Sequence, residues 1–239
     1  MNKSVSIIIP AYNEEKKLAP TVNFVLAGLN KNGISDFEIL IFNDASTDRT
    51  GEVADELAKK YPQIQIVHNH KNMNLGFNFV RGIELAVKEF VGMVPGDNEM
   101  DPETLDNVFN ALGKSDIVVT YIQNTKVRPW GRRLLSVTYT TIINTAFGFK
   151  MRYYNGCCFF KTAMVKKVPV STHGFAYMME ILVKLLKSGA TFVEVPMVNR
   201  VREKGATKAF RLKNIISVFK TFLTLFWEVQ ILRKRIKLE

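Results

Sequence analysis

The chain has 239 residues, is 47% hydrophobic and carries a formal net charge of +11. That length and apolar content allow one large domain, or a domain with appendages, around a sizeable core. The positive charge predicts anionic partners such as phosphates, nucleic acid or a lipid surface, without choosing among them. Two adjacent cysteines, Cys157 and Cys158, with no Cys/His spacing typical of zinc, argue against a disulfide or a zinc site and fit a reducing compartment.

Strand and helix patterns alternate over the first 120 residues, and the connections between them are short. This alternation predicts a doubly wound α/β fold with a mostly parallel sheet flanked by helices. Ser46 or Thr47 is the expected cap of the second helix. Strands are predicted at 5–10, 37–42, 64–67, 89–94 and 116–121, and helices to about residue 29, to about 61, over 75–89 and over 102–112.

The pattern changes after residue 121. A helix over 134–149, a strand over 155–160, a helix over 177–187 and a strand over 192–195 are predicted, followed by a basic loop over 199–208. From residue 211 the sequence predicts an amphipathic basic helix, because apolar residues recur at steps of three and four. Those residues are Leu212, Ile215, Ile216, Phe219, Phe222, Leu223 and Phe226.

No leader segment is expected before the first strand, which begins near Ser4. A membrane-spanning helix needs ~20 mostly apolar residues. The best candidate, residues 221–227, is far shorter, so any membrane attachment is expected to be peripheral. The tail helix is expected to lie on a membrane, on its own domain or on a second copy of the chain.

An acidic turn follows the fourth predicted strand. Pro95 and Gly96 end the strand, and Asp97 and Glu99 come directly after them. Ligands of open parallel sheets sit just beyond the carboxyl ends of the strands. Two carboxylates at that place suit Mg²⁺ or Mn²⁺ held together with substrate phosphates. The alternative is a solvated turn that caps the next helix.

Polar residues also follow the first and second predicted strands, so these groups are expected to surround one cleft. No GxGxxG follows the first strand and no Walker lysine motif occurs, which disfavours dinucleotide-binding and P-loop functions. A nucleic-acid binder is disfavoured because the basic residues interleave with few stacking aromatics.

Five motifs occur in a set order along the chain. They are residues 9–14 (IPAYNE), 43–50 (NDASTDRT), 96–99 (GDNE), 174–177 (GFAY) leading to Glu180, and a basic segment from Arg202 through Gly205 to Lys208. Together they resemble the inverting family 2 glycosyltransferases with the GT-A, Rossmann-like fold. The nearest branch is the dolichol-phosphate mannose synthase-like group, which includes bacterial polyprenyl-phosphate sugar transferases. The likeness implies a GT-A domain over residues 1–210 and a C-terminal helix over 211–239.

The resemblance also implies roles for the matching residues. Pro10, Tyr12 and Glu14 would line the nucleotide site, and Asp44 would contact the base or ribose. Asp97 would be a catalytic, metal-binding acid with Glu99 beside it, and the cofactor would be Mg²⁺ or Mn²⁺. Arg133, Arg202 and Lys208 would bind the donor and acceptor phosphates.

The implied reaction moves a sugar from a UDP- or GDP-linked donor to a polyprenyl phosphate, on the cytoplasmic face of the membrane. A phosphate monoester has a second pKa near ~6 and needs no strong base. A saccharide hydroxyl would need one, and Glu180 is the candidate; its alternative role is a structural pair with a nearby arginine. Saccharide transfer and a nucleotide-binding protein without catalysis both remain open.

Three positions depart from the family pattern. Pro95 stands where many relatives have the first Asp of the metal motif, which leaves fewer carboxylates for the cation. Ile122 stands where a phosphate-binding Arg is expected, and Arg152 stands about where relatives carry an Asp. The last two changes concern the acceptor more than the donor.

Overall fold

The computed structural model describes residues 3–125, 128–198 and 212–237, without the side chains of 212 and 213. In these residues the strands are β1 (Ser4–Ala11), β2 (Asp36–Asn43), β3 (Ile64–His68), β4 (Phe90–Met93), β5 (Ile117–Ile122), β6 (Cys158–Lys161) and β7 (Phe192–Met197). The helices are α1 (Leu18–Lys31), α2 (Thr50–Lys60), α3 (Asn74–Leu85), α4 (Pro102–Ala111), α5 (Trp130–Phe147), α6 (Thr162–Val165), α7 (Tyr177–Lys187) and α8 (Leu212–Phe226). A π-helical turn, Trp227–Ile231, continues α8.

All seven strands form one sheet in the order β3-β2-β1-β4-β6-β5-β7. Neighbouring strands are parallel except for β6, which is antiparallel to both β4 and β5. The predicted doubly wound, mostly parallel sheet is therefore confirmed. The first four strands carry their carboxyl ends to one edge, as the sequence predicted.

Helices cover both faces of this sheet, and the alternation of β1 explains why. Ile7 and Ile9 point into one core with α1 and α4, whereas Ile8 points into the other core with α3, α5 and α7. All three isoleucines are fully buried, which accounts for the continuous apolar run of the strand. The sheet is thereby fixed between two apolar layers, and its edges carry the polar groups.

Some predicted boundaries were wrong, and long-range hydrogen bonds explain the largest error. The predicted helix over 75–89 ends at Leu85, because Val87 N donates to the buried Glu38 carboxylate and Lys88 N donates to Ser6 Oγ. The strand predicted over 155–160 begins only at Cys158.

The tail helix has apolar side chains on two sides. Phe222 and Phe226 contact the Phe147 ring on α5, and Leu225 is buried. An adjacent side leaves four of the predicted stripe residues exposed, namely Ile215, Ile216, Phe219 and Leu223. None of the helices in the described ranges is long and apolar enough to cross a bilayer.

Candidate functional site

Four residues with a left-handed backbone lie at the carboxyl edge, one after each of β1 to β4. They are Asn13 (φ 57°), Ala45 (φ 58°), Asn74 (φ 70°) and Asn98 (φ 53°). Asparagine tolerates this conformation, whereas an alanine there costs roughly 1–2 kcal/mol. Strained residues of this kind concentrate at functional sites, so this edge is the candidate active site.

The loops after β1 and β2 are joined by side-chain hydrogen bonds to main-chain amides. Asn13 N donates to Ser46 Oγ at 3.1 Å, and Thr47 N donates to Asn13 Oδ1 at 2.8 Å. Glu14 N donates to Thr50 Oγ1 at 2.8 Å. These bonds hold the predicted nucleotide-binding segment of the first loop against the second loop.

Asp48 fixes the start of α2. Its Oδ1 accepts from Thr50 N at 3.0 Å, and its Oδ2 accepts from Glu15 N at 3.2 Å. Burial alone would raise the pKa of Asp48, but the hydrogen bonds from Thr50 and Glu15 outweigh it, and the pKa is lowered. The prediction that Ser46 or Thr47 caps this helix was wrong; those two residues bond to Asn13 instead.

Asp44 is buried directly after β2 and holds the start of α3. Its Oδ1 accepts from Met73 N at 2.8 Å and from Asn69 Nδ2 at 2.8 Å, and its Oδ2 accepts from Asn74 N at 3.0 Å. Asn69 Nδ2 also donates to the buried Asn78. Sequence reasoning missed this amide pair, whose signal is a polar residue between Phe77 and Phe79 on an apolar helix. The contact of Asp44 with a base or ribose stays a prediction.

The acidic turn lies against the end of β1. Gly96 N donates to Pro10 O at 3.1 Å, and Asp97 Oδ1 accepts from Glu99 N at 3.2 Å. Asp97 and Glu99 are half-buried, so they remain partly open to a ligand. A Cβ added to Gly96 would lie 3.1 Å from Pro10 O, which makes glycine the residue that allows this approach. The turn therefore sits beside the predicted nucleotide residues.

Several carboxylates lie at this edge, and their combined charge shifts the pKa of Glu14. Burial raises the pKa of Glu14 first, and Asp97, Glu99 and Asp48 raise it further, against the opposing effect of Lys17. Burial raises the pKa of Cys157 to about 12, and the charge of Asp97 adds to that shift. Glu14 and Cys157 thus both lie within the negative field of the carboxylates at this edge.

A divalent cation fits this field on chemical grounds. The described residues contain no group of three His, Cys, Asp or Glu side chains that could hold a metal alone. Mg²⁺ commonly takes only one or two protein carboxylates and completes its shell with substrate phosphates and water. Asp97 and Glu99 could supply that number of oxygen ligands at this edge of the sheet.

Glu180, the predicted base, is held in a network of hydrogen bonds rather than exposed to a ligand. The carboxylate is buried at the start of α7 and accepts from Ser171 N, Ser171 Oγ and Thr172 N, and it pairs with Lys184 Nζ at 2.6 Å. Its partner is a lysine rather than the expected arginine. Glu180 therefore anchors the segment 171–172, and its role as a base stays a prediction.

The segment anchored by Glu180 also contacts α3. The ring of His173 meets that of Phe77 edge-on with 5.5 Å between centroids. A Cβ added to Gly76 would lie only 2.4 Å from His173 O, so the main chains approach closely here. Because Asp44 holds the start of α3, contacts run continuously from the end of β2 to this segment.

The remaining predicted site residues are distributed as follows. Pro10 is buried in β1, and Tyr12 is 42% exposed just beyond it. Arg133 is exposed in the first turn of α5. Arg202 and Lys208 lie outside the described residues. The structure thus brings Pro10, Tyr12, Glu14, Asp44, Asp97 and Glu99 to one edge of the sheet.

A mostly parallel α/β sheet with acidic and polar loops at its carboxyl edge defines a ligand-binding α/β domain of the doubly wound class. The family model described as glycosyl transferase family 2 matches residues 6–171. The chain belongs to that family.

Two curated relatives have named activities. The chain is 31% identical to the dolichol-phosphate mannosyltransferase of Pyrococcus furiosus over 85% of this chain, and it spans 58% of that relative's length. It is 26% identical to the polyprenol monophosphomannose synthase of Mycolicibacterium smegmatis, over 84% of this chain and 79% of the relative.

Solved structures of other enzymes share the fold. Mannosyl-3-phosphoglycerate synthase from Rubrobacter xylanophilus superposes with a TM-score of 0.71 at 15% identity, covering 97% of this chain and 74% of its own. Glucosyl-3-phosphoglycerate synthase from Mycobacterium tuberculosis, solved with Mn²⁺, UDP and phosphoglyceric acid, gives 0.65 at 14% identity, covering 95% and 78%. At these identities the likeness concerns the fold, which matches the predicted GT-A architecture.

Proposed function

We propose that this chain transfers a sugar from a nucleoside diphosphate sugar to a polyprenyl phosphate, with inversion, at the cytoplasmic membrane surface. The observation that carries the proposal is the convergence of Asp44, Glu14, Asp97 and Glu99 at one edge of a family 2 sheet. Two relatives whose names specify dolichol or polyprenol phosphate mannosyl transfer support the choice of acceptor.

The donor would lie across the loops after β1, β2 and β4. Tyr12 offers an exposed ring to the nucleoside, and the amides of the first loop are already fixed in place. The predicted contact of Asp44 with the base or ribose would require its buried carboxylate to exchange one of the hydrogen bonds from Asn69, Met73 and Asn74. Asp97 and Glu99 would hold Mg²⁺ or Mn²⁺ against the diphosphate. When bound, such a cation offsets the charge that develops on the leaving diphosphate. A transfer assay with UDP- and GDP-linked sugars would identify the nucleoside as uridine or guanosine.

A phosphate acceptor suits the state of Glu180. Its carboxylate accepts hydrogen bonds from four donor groups of the protein, which occupy both of its oxygens. A lipid phosphate is largely dianionic at neutral pH and can attack without a base. Its binding calls for cations, and Arg133, with Arg202 and Lys208 of the basic loop, are the proposed ones.

Peripheral membrane contact is part of the proposal. Ile215, Phe219, Leu223 and Trp227 recur at every fourth position of α8 and its extension, and each is 46–60% exposed. α5 exposes a second apolar group, which comprises Trp130, Leu134, Leu135, Val137 and Ile142. Apolar helix sides flanked by lysine and arginine are typical of helices that lie in the head-group region of a bilayer.

A transfer assay tests the proposal. Purified protein with Mn²⁺ or Mg²⁺ would be given UDP- and GDP-linked sugars together with a short polyprenyl phosphate or a soluble saccharide. We expect product only on the lipid phosphate, with Glu180→Gln altering stability more than the pH dependence of the rate. Transfer to the saccharide, with loss of the acidic limb of the pH profile in Glu180→Gln, would contradict the proposed acceptor. Binding of nucleotide with no transfer to any acceptor would contradict catalysis itself.

A further inference from the structure

A small polar groove lies between the segment anchored by Glu180 and the side of α8 that carries hydroxyl groups. Its volume is about 190 Å³. The groove is lined by Ser171, Thr172, Ser217, Lys220, Thr221 and Thr224. Five of these residues carry hydroxyl groups, one is cationic and none is acidic. It is separate from the acidic edge, since no residue of the β1, β2 or β4 loops lines it.

The groove has hydrogen-bond donors that the protein itself leaves unused. Within the described part of the chain, the Ser217 and Thr224 hydroxyls and the Lys220 ammonium group have no hydrogen-bond or ion-pair partner. Thr172 Oγ1 accepts from Gly174 N at 3.3 Å, which leaves its own proton to donate. Thr221 is satisfied, because its hydroxyl donates to Ser217 O.

These donors suit one class of ligand. A phosphate group presents several strong acceptor oxygens and negative charge, and lysine binds phosphate as a point charge while hydroxyls donate to the remaining oxygens. A carbohydrate or a cation fits less well, since the groove offers a positive charge and no carboxylate. We infer that this groove binds the phosphate group of an anionic ligand, at a place separate from the acidic edge of the sheet.

Two sources could supply that phosphate. The exposed side chains of Ile216, Phe219 and Leu223 lie on the same helix as the groove residues Ser217, Lys220 and Thr224. A helix whose apolar side enters a bilayer would bring the groove to head-group depth, where phosphodiesters are abundant. The lipid source rests on the proposed membrane contact; a soluble phosphate ester does not. Neither source depends on sugar transfer.

A ligand in the groove would also act on the catalytic edge. Ser171 and Thr172 form one wall of the groove, and their amides are the ones that Glu180 holds. The next residue, His173, packs on Gly76 and Phe77 of α3. Occupancy of the groove would therefore stabilise the segment that contacts the helix held by Asp44.

Vesicle sedimentation of the full chain tests the inference without any donor present. Binding would be compared between phosphatidylcholine vesicles and vesicles that also contain phosphatidylglycerol. Lys220→Gln removes the charge, and Ser217→Ala combined with Thr224→Val removes two hydroxyls without changing the charge. Lys59→Gln is the matched control for loss of one charge, because Lys59 is an exposed residue of α2.

We expect Lys220→Gln to lose about fivefold of the phosphatidylglycerol-dependent binding, the scale of one lysine at a membrane surface. The hydroxyl variant should also lose part of that binding, because two hydrogen bonds to the phosphate are removed. Binding to phosphatidylcholine should stay unchanged, and Lys59→Gln should lose clearly less. If Lys220→Gln behaves like Lys59→Gln, or if the hydroxyl variant binds like the unaltered protein, the attraction is unspecific and the inference is overturned.

Competition with glycerol 3-phosphate distinguishes the two sources. Release of the protein by this soluble ester shows that a free phosphate suffices, whereas retention assigns the site to a bilayer phosphate; both support the groove when the groove variants lose binding. A thermal-shift titration with glycerol 3-phosphate covers the case of a protein that ignores vesicles. Absence of groove-dependent binding in both measurements overturns the inference, and a failed transfer assay leaves it untouched.

Discussion

At the scale of residues, the carboxylates at the edge of the sheet change one another's ionisation. Glu14 lies within the field of Asp97, Glu99 and Asp48, and burial adds to their effect, so its pKa is raised. A group whose pKa is raised on folding favours the folded state most when it is protonated. Glu14 therefore supports folding at low pH, and that contribution is lost as the pH rises above its ordinary value of 4.5. A bound cation would relieve this repulsion between the carboxylates.

Glu14→Gln tests this electrostatic crowding. At pH 7 without metal, we expect the variant to have a higher free energy of unfolding than the unaltered chain, by up to about 1 kcal/mol because the site is partly solvated. At pH 4 the difference should shrink, since Glu14 is then largely protonated. Urea unfolding at the two pH values measures it. A lower free energy of unfolding for the variant at pH 7 would contradict the crowding.

The stability that Asp48 contributes depends on pH in the opposite direction, so Asp48 serves as an internal reference. Its pKa is lowered, because the hydrogen bonds from Thr50 and Glu15 outweigh burial. The stability that it contributes is present above its ordinary pKa of 3.8 and is lost as the pH falls through the lower folded value. Acid titration of Glu14→Gln should retain this loss, which separates the two carboxylates experimentally.

At the scale of elements, α3 connects the loop after β2 to the segment 171–176. Asp44 fixes its first turn, and Gly76 lets the main chain of His173 approach. The position of the helix is therefore a structural requirement of the site, although none of its residues was predicted to bind substrate.

Gly76→Ala tests the importance of this close approach. Alanine favours a helix over glycine by about 1 kcal/mol, so a gain is expected where space is free. At Gly76 the added methyl group would lie 2.4 Å from His173 O, and we expect a net loss of stability of about 1–3 kcal/mol. Weaker donor binding should accompany it. Denaturant unfolding and nucleotide titration measure the two effects.

Gly131→Ala is the matched control, because nothing lies within 4 Å of a Cβ at that position of α5. It should be neutral or stabilising by up to about 1 kcal/mol. Equal stability changes in the two variants would show that the contact between Gly76 and His173 has no energetic weight.

At the scale of the whole molecule, the sequence predicted the strands whose signal is local. Residues 5–10 and 37–42 read as buried strands because nearly every side chain is apolar. The position of β6 between β4 and β5 was not predictable in that way, since it depends on pairing between distant segments. Gly92 is a local sign of the pairing between β4 and β6, because the Phe159 ring occupies the space that a Cβ there would take.

The same distinction between local and long-range signals applies to the candidate site. The position of Asp97 and Glu99 at the carboxyl edge was predictable because a strand, a Pro-Gly turn and two acids are consecutive in sequence, whereas their role as metal ligands stays a prediction. The hydrogen bonds of Asp44 to Met73 and Asn74 were not, because the partners are about 30 residues away and meet only in the folded chain. Glu180 shows the same limit: its position matched a family motif, whereas its partners Ser171, Thr172 and Lys184 became evident only from the packing.

Calorimetric titration of UDP and GDP, with and without Mn²⁺, tests the central claim most directly. We expect Mn²⁺ to tighten the binding of one nucleotide at least tenfold, or about 1.4 kcal/mol, in the unaltered chain and in the control Glu103→Gln, whose side chain is exposed four residues beyond Glu99. Asp97→Asn should bind that nucleotide with the same weak affinity whether or not Mn²⁺ is present. Equal Mn²⁺ enhancement in Asp97→Asn, or none in the unaltered chain, would contradict a cation-bridged diphosphate at this edge.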